Sequence, residues 1–410
     1  MSLSFERGLV ALVTALLCSV GAVARAQSDT LGGTLEYGAA ALAAETAAPA
    51  LVTGQARASV AAAGVGVARI FANPIGSVGT TTDGPRFFST LTVPLPITRR
   101  GSAIRAAESS ASAAAAEIPL LRLDARFGAA NAWCDLWLAE RTVEVARASE
   151  QRAAKVLAAA NQRFGEGTAP RLDAARANAE HARVRAEALA RAELVADASA
   201  SLAYWLARDP VAVLHVAGAP PDVAALPSIT VLAARLDSHP LIAKQAARSR
   251  AAAALVGVQE SQAWPTFGVQ LGATLWDRQV PENNLSAGVL FDVPVFNWNR
   301  PAITQARNGV VQVAAESGAA TARLRADLVS AYATLKAAVA RADAAEREVL
   351  PASQLAADLT VDAYQTGAVD LAAVLIAEKT LAEAKQAAFE AVAARGRAVA
   401  ALEHAVGGAL

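Results

Sequence analysis

The chain carries one unit of sequence twice. Pro49 matches Pro240 and Asn73-Pro74 matches Trp264-Pro265, each 191 positions apart. Val93-Pro94 matches Val293-Pro294, Arg100 matches Arg300, Ala106 matches Ala306, and Phe164-Gly165-Glu166-Gly167 matches Tyr364-Gln365-Thr366-Gly367, all 200 positions apart. The growing offset places extra residues in the second copy between Pro265 and Val293. A tandem duplication constrains the fold more tightly than length does. The 410 residues are to be read as two copies of one unit, 27–208 and 229–410, rather than as two or three unrelated domains. The proline-rich segment 209–228, with Pro210, Pro220, Pro221 and Pro227, reads as the linker between them.

Each copy has the same order. A short helical segment runs to about Ala72 or Ala263, two strand-like segments follow, and long helical stretches come last, broken near Gly167 or Gly367. The strands are placed at about 74–82 and 86–97 in the first copy and 265–276 and 284–296 in the second. In the second copy Phe267, Val269, Leu271, Ala273 and Leu275 alternate with small or polar residues, and Leu285, Ala287, Val289, Phe291, Val293 and Val295 do the same, which is the period of a half-buried strand. Apolar residues make up 54% of the chain but aromatics only 5%, so long helices packed through small side chains should dominate. The run from Arg99 to Phe164, interrupted once by Pro119, would span roughly 100 Å as one helix. Pro301 to Leu350 has no interior proline, and Pro301 suits a first helical position. Ala174, Ala177, Ala182, Ala186 and Ala190 offer a small-residue face for close helix approach. The expected class is mainly α with a small β part.

Residues 1–26 combine Arg7, an apolar run from Gly8 to Val23 and the small-x-small end Ala24-Arg25-Ala26, the make-up of a secretory signal peptide. An uncleaved anchor is the alternative. Cys18 follows Leu17, where a lipoprotein signal would want a small residue, so lipidation is not expected. Cleavage would leave Cys134 alone, an inert thiol without a disulfide partner. Net charge is zero with the signs interspersed, and no basic block points to nucleic acid.

About ten tilted residues is what a strand needs to cross a bilayer. Trp264, Trp276, Phe296 and Trp298 lie at or just beyond the ends of the strand patterns, where interfacial aromatics belong. An ordinary soluble hairpin is the competing reading of the strands alone. If these strands span, four cannot do so unaided, because open edges would leave backbone groups unpaired in hydrocarbon. No phosphate loop, HExxH or nucleophile elbow occurs. His181, His215, His239 and His404 are scattered, and His239, beside Pro240, reads as a helix-start residue rather than a ligand. No cofactor, metal site or catalytic residue is expected.

The duplicated helix-strand-strand-helix order, the signal peptide, and the words Val93-Pro94, Val293-Pro294-Val295-Phe296, Arg163-Phe164-x-x-Gly167, Tyr364-x-x-Gly367-x-x-x-Leu371 and Val349-Leu350-Pro351 resemble the TolC-type outer-membrane efflux proteins. Ala72-Asn73-Pro74 is similar to the heavy-metal-efflux, Czc-type branch. The resemblance implies a homotrimer in which each subunit gives four strands to a 12-stranded outer-membrane β-barrel and its helices to a periplasmic coiled-coil tunnel. It implies a passive exit duct, embedded in outer-membrane lipid, that meets a periplasmic adaptor and through it an inner-membrane pump. By the same implication Phe164, Gly167 and Leu172, with Tyr364, Gly367 and Leu371, form entrance tips that bind the adaptor. Pro94, Arg100, Pro294 and Arg300 mark the strand-to-helix joints. Some members narrow the entrance with acidic residues; here the candidates are Asp173 and Asp370, for which a role as solvated helix-start residues is the favoured reading. Cargo stays open between metal cations, drugs and a secreted polypeptide, and a periplasmic coiled-coil adaptor remains the alternative class.

Overall fold

The computed structural model describes residues 34–80, 82, 87–223, 225–275 and 283–410. The expected signal peptide and Trp276 lie outside the described residues.

Helices α1 (Tyr37–Ala47) and α2 (Pro49–Arg69) lead to strands β1 (Ile75–Gly79) and β2 (Phe87–Leu95), then to helices α3 (Ile97–Gly165) and α4 (Arg171–Trp205). After the segment 209–228 come α5 (Ile229–Ala234), a 3-10 turn, α6 (Pro240–Gln262), β3 (Thr266–Leu275), β4 (Asn284–Asp292), α7 (Arg300–Ala344), α8 (Leu350–Gln365) and α9 (Leu371–Val406). Long helices make up most of the chain, and the four strands form one small sheet.

Helices α2 and α6 begin alike. The residue before each proline is held extended, Ala48 at φ −54°, ψ 135° and His239 at φ −64°, ψ 136°, because a following proline ring crowds the helical region. In α6 the start is also capped: the Leu241 N–H donates to His239 Nδ1 at 3.0 Å. With Nδ1 accepting, the ring proton sits on Nε2, which donates to the His404 carbonyl at 3.1 Å.

Helix α3 has 69 residues, runs through Pro119, and is about 100 Å long. It packs against α1, α2, α4, α6 and α9, and that packing outweighs the hydrogen bond lost at the proline. The expected unbroken helix from Pro301 to Leu350 is instead divided by a π turn at Ala345–Val349. Pro351, in the first turn of α8, has no N–H and its ring crowds the carbonyl four residues back, so the α ladder widens ahead of it. The buried stripe of α4 is Ala177, Val184, Ala188, Ser199, Leu202 and Ala203. Ala182, Ala186 and Ala190 are exposed, so the expected alanine face is corrected to one in which Val184 and Leu202 take part.

Three buried clusters hold the helices. Trp133, Leu136, Trp137 and Leu202 centre the first. Their indoles find polar partners, Trp133 Nε1 donating to the Leu35 carbonyl at 2.8 Å and Trp137 Nε1 to the Gly218 carbonyl at 2.9 Å. The inter-repeat segment therefore lies against the core: Leu35 bridges Val216, and Pro220 packs where a Cβ on Gly396 would come within 2.7 Å of it. Leu324, Leu328, Leu335 and Leu402 centre the second cluster. The third gathers Val156, Ala160, Ala177, Tyr364, Leu371 and Val374 near the helix turns.

The sheet is antiparallel in the order β1-β2-β3-β4. Its register carries one row across all strands, Ser77 opposite Thr90, Thr90 opposite Gly272 and Gly272 opposite Ser286. The ladder is shorter than the sequence pattern. β4 stops at Asp292 because its partner β3 starts at Thr266, just after Pro265, and because Pro294 follows. The expected outward-facing Val293 and Val295 lie past the strand in a tight turn, the Val295 N–H donating to the Val293 carbonyl at 2.8 Å. β2 by contrast continues through Pro94 to Leu95, beyond the end of β1, so Pro94 lies where β2 has a neighbour on one side only.

Candidate functional site

The two helix turns share one backbone. The Gly167 N–H donates to the Phe164 carbonyl at 3.0 Å and the Thr168 N–H to the Arg163 carbonyl at 2.9 Å. In the second copy the Gly367 N–H donates to the Tyr364 carbonyl at 3.0 Å and the Ala368 N–H to the Ala363 carbonyl at 2.8 Å. This paired closure is the Schellman arrangement, which requires a left-handed residue after the helix cap. Gly167 at φ +74° and Gly367 at φ +80° supply it.

The side chains on these turns are not alike. Phe164 and Leu172 are 46% and 55% exposed, whereas Tyr364 and Leu371 are 2% and 1% exposed, inside the third cluster. Arg163 holds Tyr364 there. Its guanidinium lies 4.7 Å from the ring centroid and donates to the Tyr364 carbonyl at 3.0 Å. Burial pushes the Tyr364 hydroxyl above the usual tyrosine range, the Arg163 charge opposing the shift. The four apolar tip residues expected to act together therefore separate into an exposed pair and a buried pair. Asp370 caps α9 by accepting the Ala373 N–H at 3.0 Å. Asp173 lies in the first turn of α4, where the backbone of Pro170 makes the cap, and favours the positive helix end.

The joints differ as well. Arg100, in the first turn of α3, donates to the Arg69 carbonyl at 2.9 Å and lies 4.2 Å over the Phe71 ring. A single residue, Pro96, separates β2 from α3, and Thr98 ties the joint across the repeats by donating to the Pro265 carbonyl at 3.1 Å. In the second copy residues 293–299 separate β4 from α7. Asn299, at φ 54°, anchors that loop through its side-chain amide to the Gln259 carbonyl at 2.8 Å. Pro294 lies in the loop, Arg300 is exposed on the first turn of α7, and Phe296, Trp298 and Trp264 stand out into solvent.

The sheet has one apolar face and one mixed face that carries most of its polar side chains, together with Ile75, Phe88, Pro94 and Leu290. Opposed residues share a face, so Val78, Leu91, Leu271, Val269, Val289 and Phe291 stand with the other apolar residues on one side. Ser77, Thr90, Thr92, Gln270, Ser286 and Asp292 stand on the other, where the Ser77 and Thr90 hydroxyls lie 2.6 Å apart. Both β1 and β4 are edges with no strand beyond them among the described residues.

Among the described residues no group of three or more His, Cys, Asp or Glu side chains is placed to hold a metal ion. His404 Nε2 lies 2.7 Å from Asp124 and His215 Nδ1 lies 2.9 Å from Glu140, each a pair tying two segments together. Burial pushes the Cys134 thiol up to about 12, so it is unreactive at neutral pH. No described helix is long and apolar enough to cross a membrane.

A family profile for outer membrane efflux proteins matches residues 231–408, the second repeat from the helix before His239 to the end of α9. Over 330 residues, 78% of this chain and 78% of the other, the sequence is 28% identical to the cobalt-zinc-cadmium resistance protein CzcC of Cupriavidus metallidurans. The second repeat is thus similar to outer membrane efflux proteins. Solved structures of similar fold reach across both repeats. The outer membrane protein VceC of Vibrio cholerae superposes with a TM-score of 0.73 at 20% identity, covering 91% of this chain and 96% of that one. CusC superposes with a TM-score of 0.76 at 17% identity, covering 92% and 94%. The MtrE outer membrane channel of Neisseria gonorrhoeae gives 0.72 at 18%, covering 90% and 88%.

Proposed function

We propose that this chain is an outer membrane efflux protein, the exit duct of a tripartite efflux system, and that it conducts heavy-metal cations from the periplasm to the outside. The observation that carries the duct is the sheet: four strands with one apolar face, one more polar face and, among the described residues, two open edges. Open edges are not tolerated in hydrocarbon, and a closed barrel is the way to pair them. Three subunits joined edge to edge, β4 of one against β1 of the next, give a 12-stranded barrel with lipid on the apolar face and water on the polar face. Helices α3, α4 and α7 to α9 then extend below it as a periplasmic tunnel, and Phe296, Trp298 and Trp264 lie at the inner membrane–water boundary.

The adaptor docks at the helix turns, where Phe164 and Leu172 offer exposed apolar contact and Gly167 and Gly367 shape the reversal. An inner-membrane pump connects through the adaptor. A cleaved signal peptide at 1–26 directs export, without lipidation. The metal cargo is supported by the likeness to CzcC, whose name records resistance to cobalt, zinc and cadmium. The duct needs no tight metal site for this, since the pump selects and the duct conducts.

Deleting the gene and measuring growth on zinc, cobalt, cadmium, copper and a drug panel tests the cargo. Sensitivity to metals alone is expected. Sensitivity to drugs alone would replace the metal assignment.

A further inference from the structure

We infer that Asp292 gives the barrel section of the duct a preference for cations, an inference that rests on the trimeric reading above. Strands β1 to β4 carry one ionisable side chain between them, and it is Asp292. It stands on the polar face, in the last pair of the β3–β4 ladder, opposite Thr266. The rest of that face presents hydroxyls, amides and glycines, such as Thr90, Gln270, Gly272 and Ser286, with the apolar Ile75, Phe88, Pro94 and Leu290 among them, and none of these distinguishes the sign of a passing ion.

Asp292 is exposed and has no ion pair among the described residues. Three of the basic side chains around the joint are engaged elsewhere. Arg99 points its guanidinium at the Gln262 and Trp264 carbonyls, both at 3.4 Å, Arg100 lies over Phe71, and Arg307 pairs with Glu260 at 2.8 Å. Arg300 is exposed on α7, eight positions along the chain and beyond the 293–299 loop. In a trimer three Asp292 carboxylates stand at one level of the wall, where the sheet gives way to the helices. An ion leaving the tunnel passes them on its way into the barrel. Like charges on a low-dielectric wall raise the local concentration of counter-ions and exclude co-ions.

The test uses the full chain in a planar bilayer across a potassium chloride gradient, with the reversal potential read as a cation-to-anion permeability ratio. Wild type should favour cations near 0.1 M salt. Asp292→Asn should lower the ratio by about threefold there, and the difference should shrink near 1 M, where the screening length falls to roughly 3 Å. Asp292→Glu, which keeps the charge, should retain the wild-type ratio and shows that a changed residue is tolerated at this exposed position. A wild type that favours anions, or an Asn variant that conducts with an unchanged ratio, overturns the role of Asp292 and leaves the duct standing. A wild type that forms no pore overturns the duct and this inference with it.

Discussion

Arg163 and Tyr364 lock the two helix turns of one subunit together: the guanidinium lies 4.7 Å from the ring centroid and donates to the Tyr364 carbonyl at 3.0 Å. The duplicated position of Arg163 is Ala363, so the second turn has no arginine to offer in return. Arg163→Ala should loosen the second turn by about 1 kcal/mol, the scale of a partly desolvated cation–π contact with one hydrogen bond. Hydrogen exchange would show faster opening across Tyr364–Leu371 with little change at the distant Trp133 core. Equal exchange in both proteins would mean that the contact is idle.

Gly167 and Gly367 need their left-handed backbone more than the space around it. A Cβ on Gly167 would meet nothing within 4 Å, and one on Gly367 only Arg163 Nη2 at 3.6 Å. Alanine at either position should therefore cost about 1–2 kcal/mol through backbone strain alone. Bulky residues at both should in addition reduce crosslinking of the turns to the adaptor. Thermal melting reads the first effect, and unaltered adaptor crosslinking would count against docking at these turns.

The acidic residues can be separated by chemistry. Asp370 accepts the Ala373 N–H, so Asp370→Ala should lose about 1 kcal/mol of helix-start stability while Asp370→Asn, which keeps the acceptor, should lose little. Single-channel conductance of the Asn variant then isolates charge. Unchanged conductance would leave Asp370 a cap and nothing more, whereas a clear change would make it part of an acidic entrance.

Burial holds the His239 pKa below the ordinary imidazole value, against the hydrogen bond to His404 that favours the charged ring. The unfolded chain therefore binds a proton more readily than the folded one. The neutral cap contributes fully above the unfolded pKa near 6.5, and stability is lost as pH falls from there toward the folded value. His239→Asn keeps a capping acceptor and should flatten this part of the stability–pH curve, measured by denaturant unfolding. An equally steep curve in the variant would assign the slope to other groups.

Much of the architecture was legible because duplication and period-two alternation are both patterns of residue type. The alternation of Phe267, Val269 and Leu271 with Gly268, Gln270 and Gly272 is the physical separation of the sheet's two faces. Pro49 and Pro240 start helices because a ring on nitrogen admits few other backbones. What escaped depended on contacts distant in sequence. The exposure of Phe164 and burial of Tyr364 follow from Arg163, Val156 and Ala177 lying near the second turn. The end of β4 at Asp292 was set by where its partner begins. The docking of 209–228 on Trp137 and Gly396 carried no signal beyond a proline-rich composition that reads as a loose linker. The π turn was signalled by Pro351, whose effect falls upstream of itself.

The central claim is that the four-stranded sheet is one third of a closed barrel, and it is tested most directly by the mass of the detergent-extracted protein from fractionated cells. Native mass spectrometry of the outer-membrane fraction should show three copies of the chain, resistant to dissociation until heated in SDS. A monomer recovered in soluble form from the periplasm would contradict it.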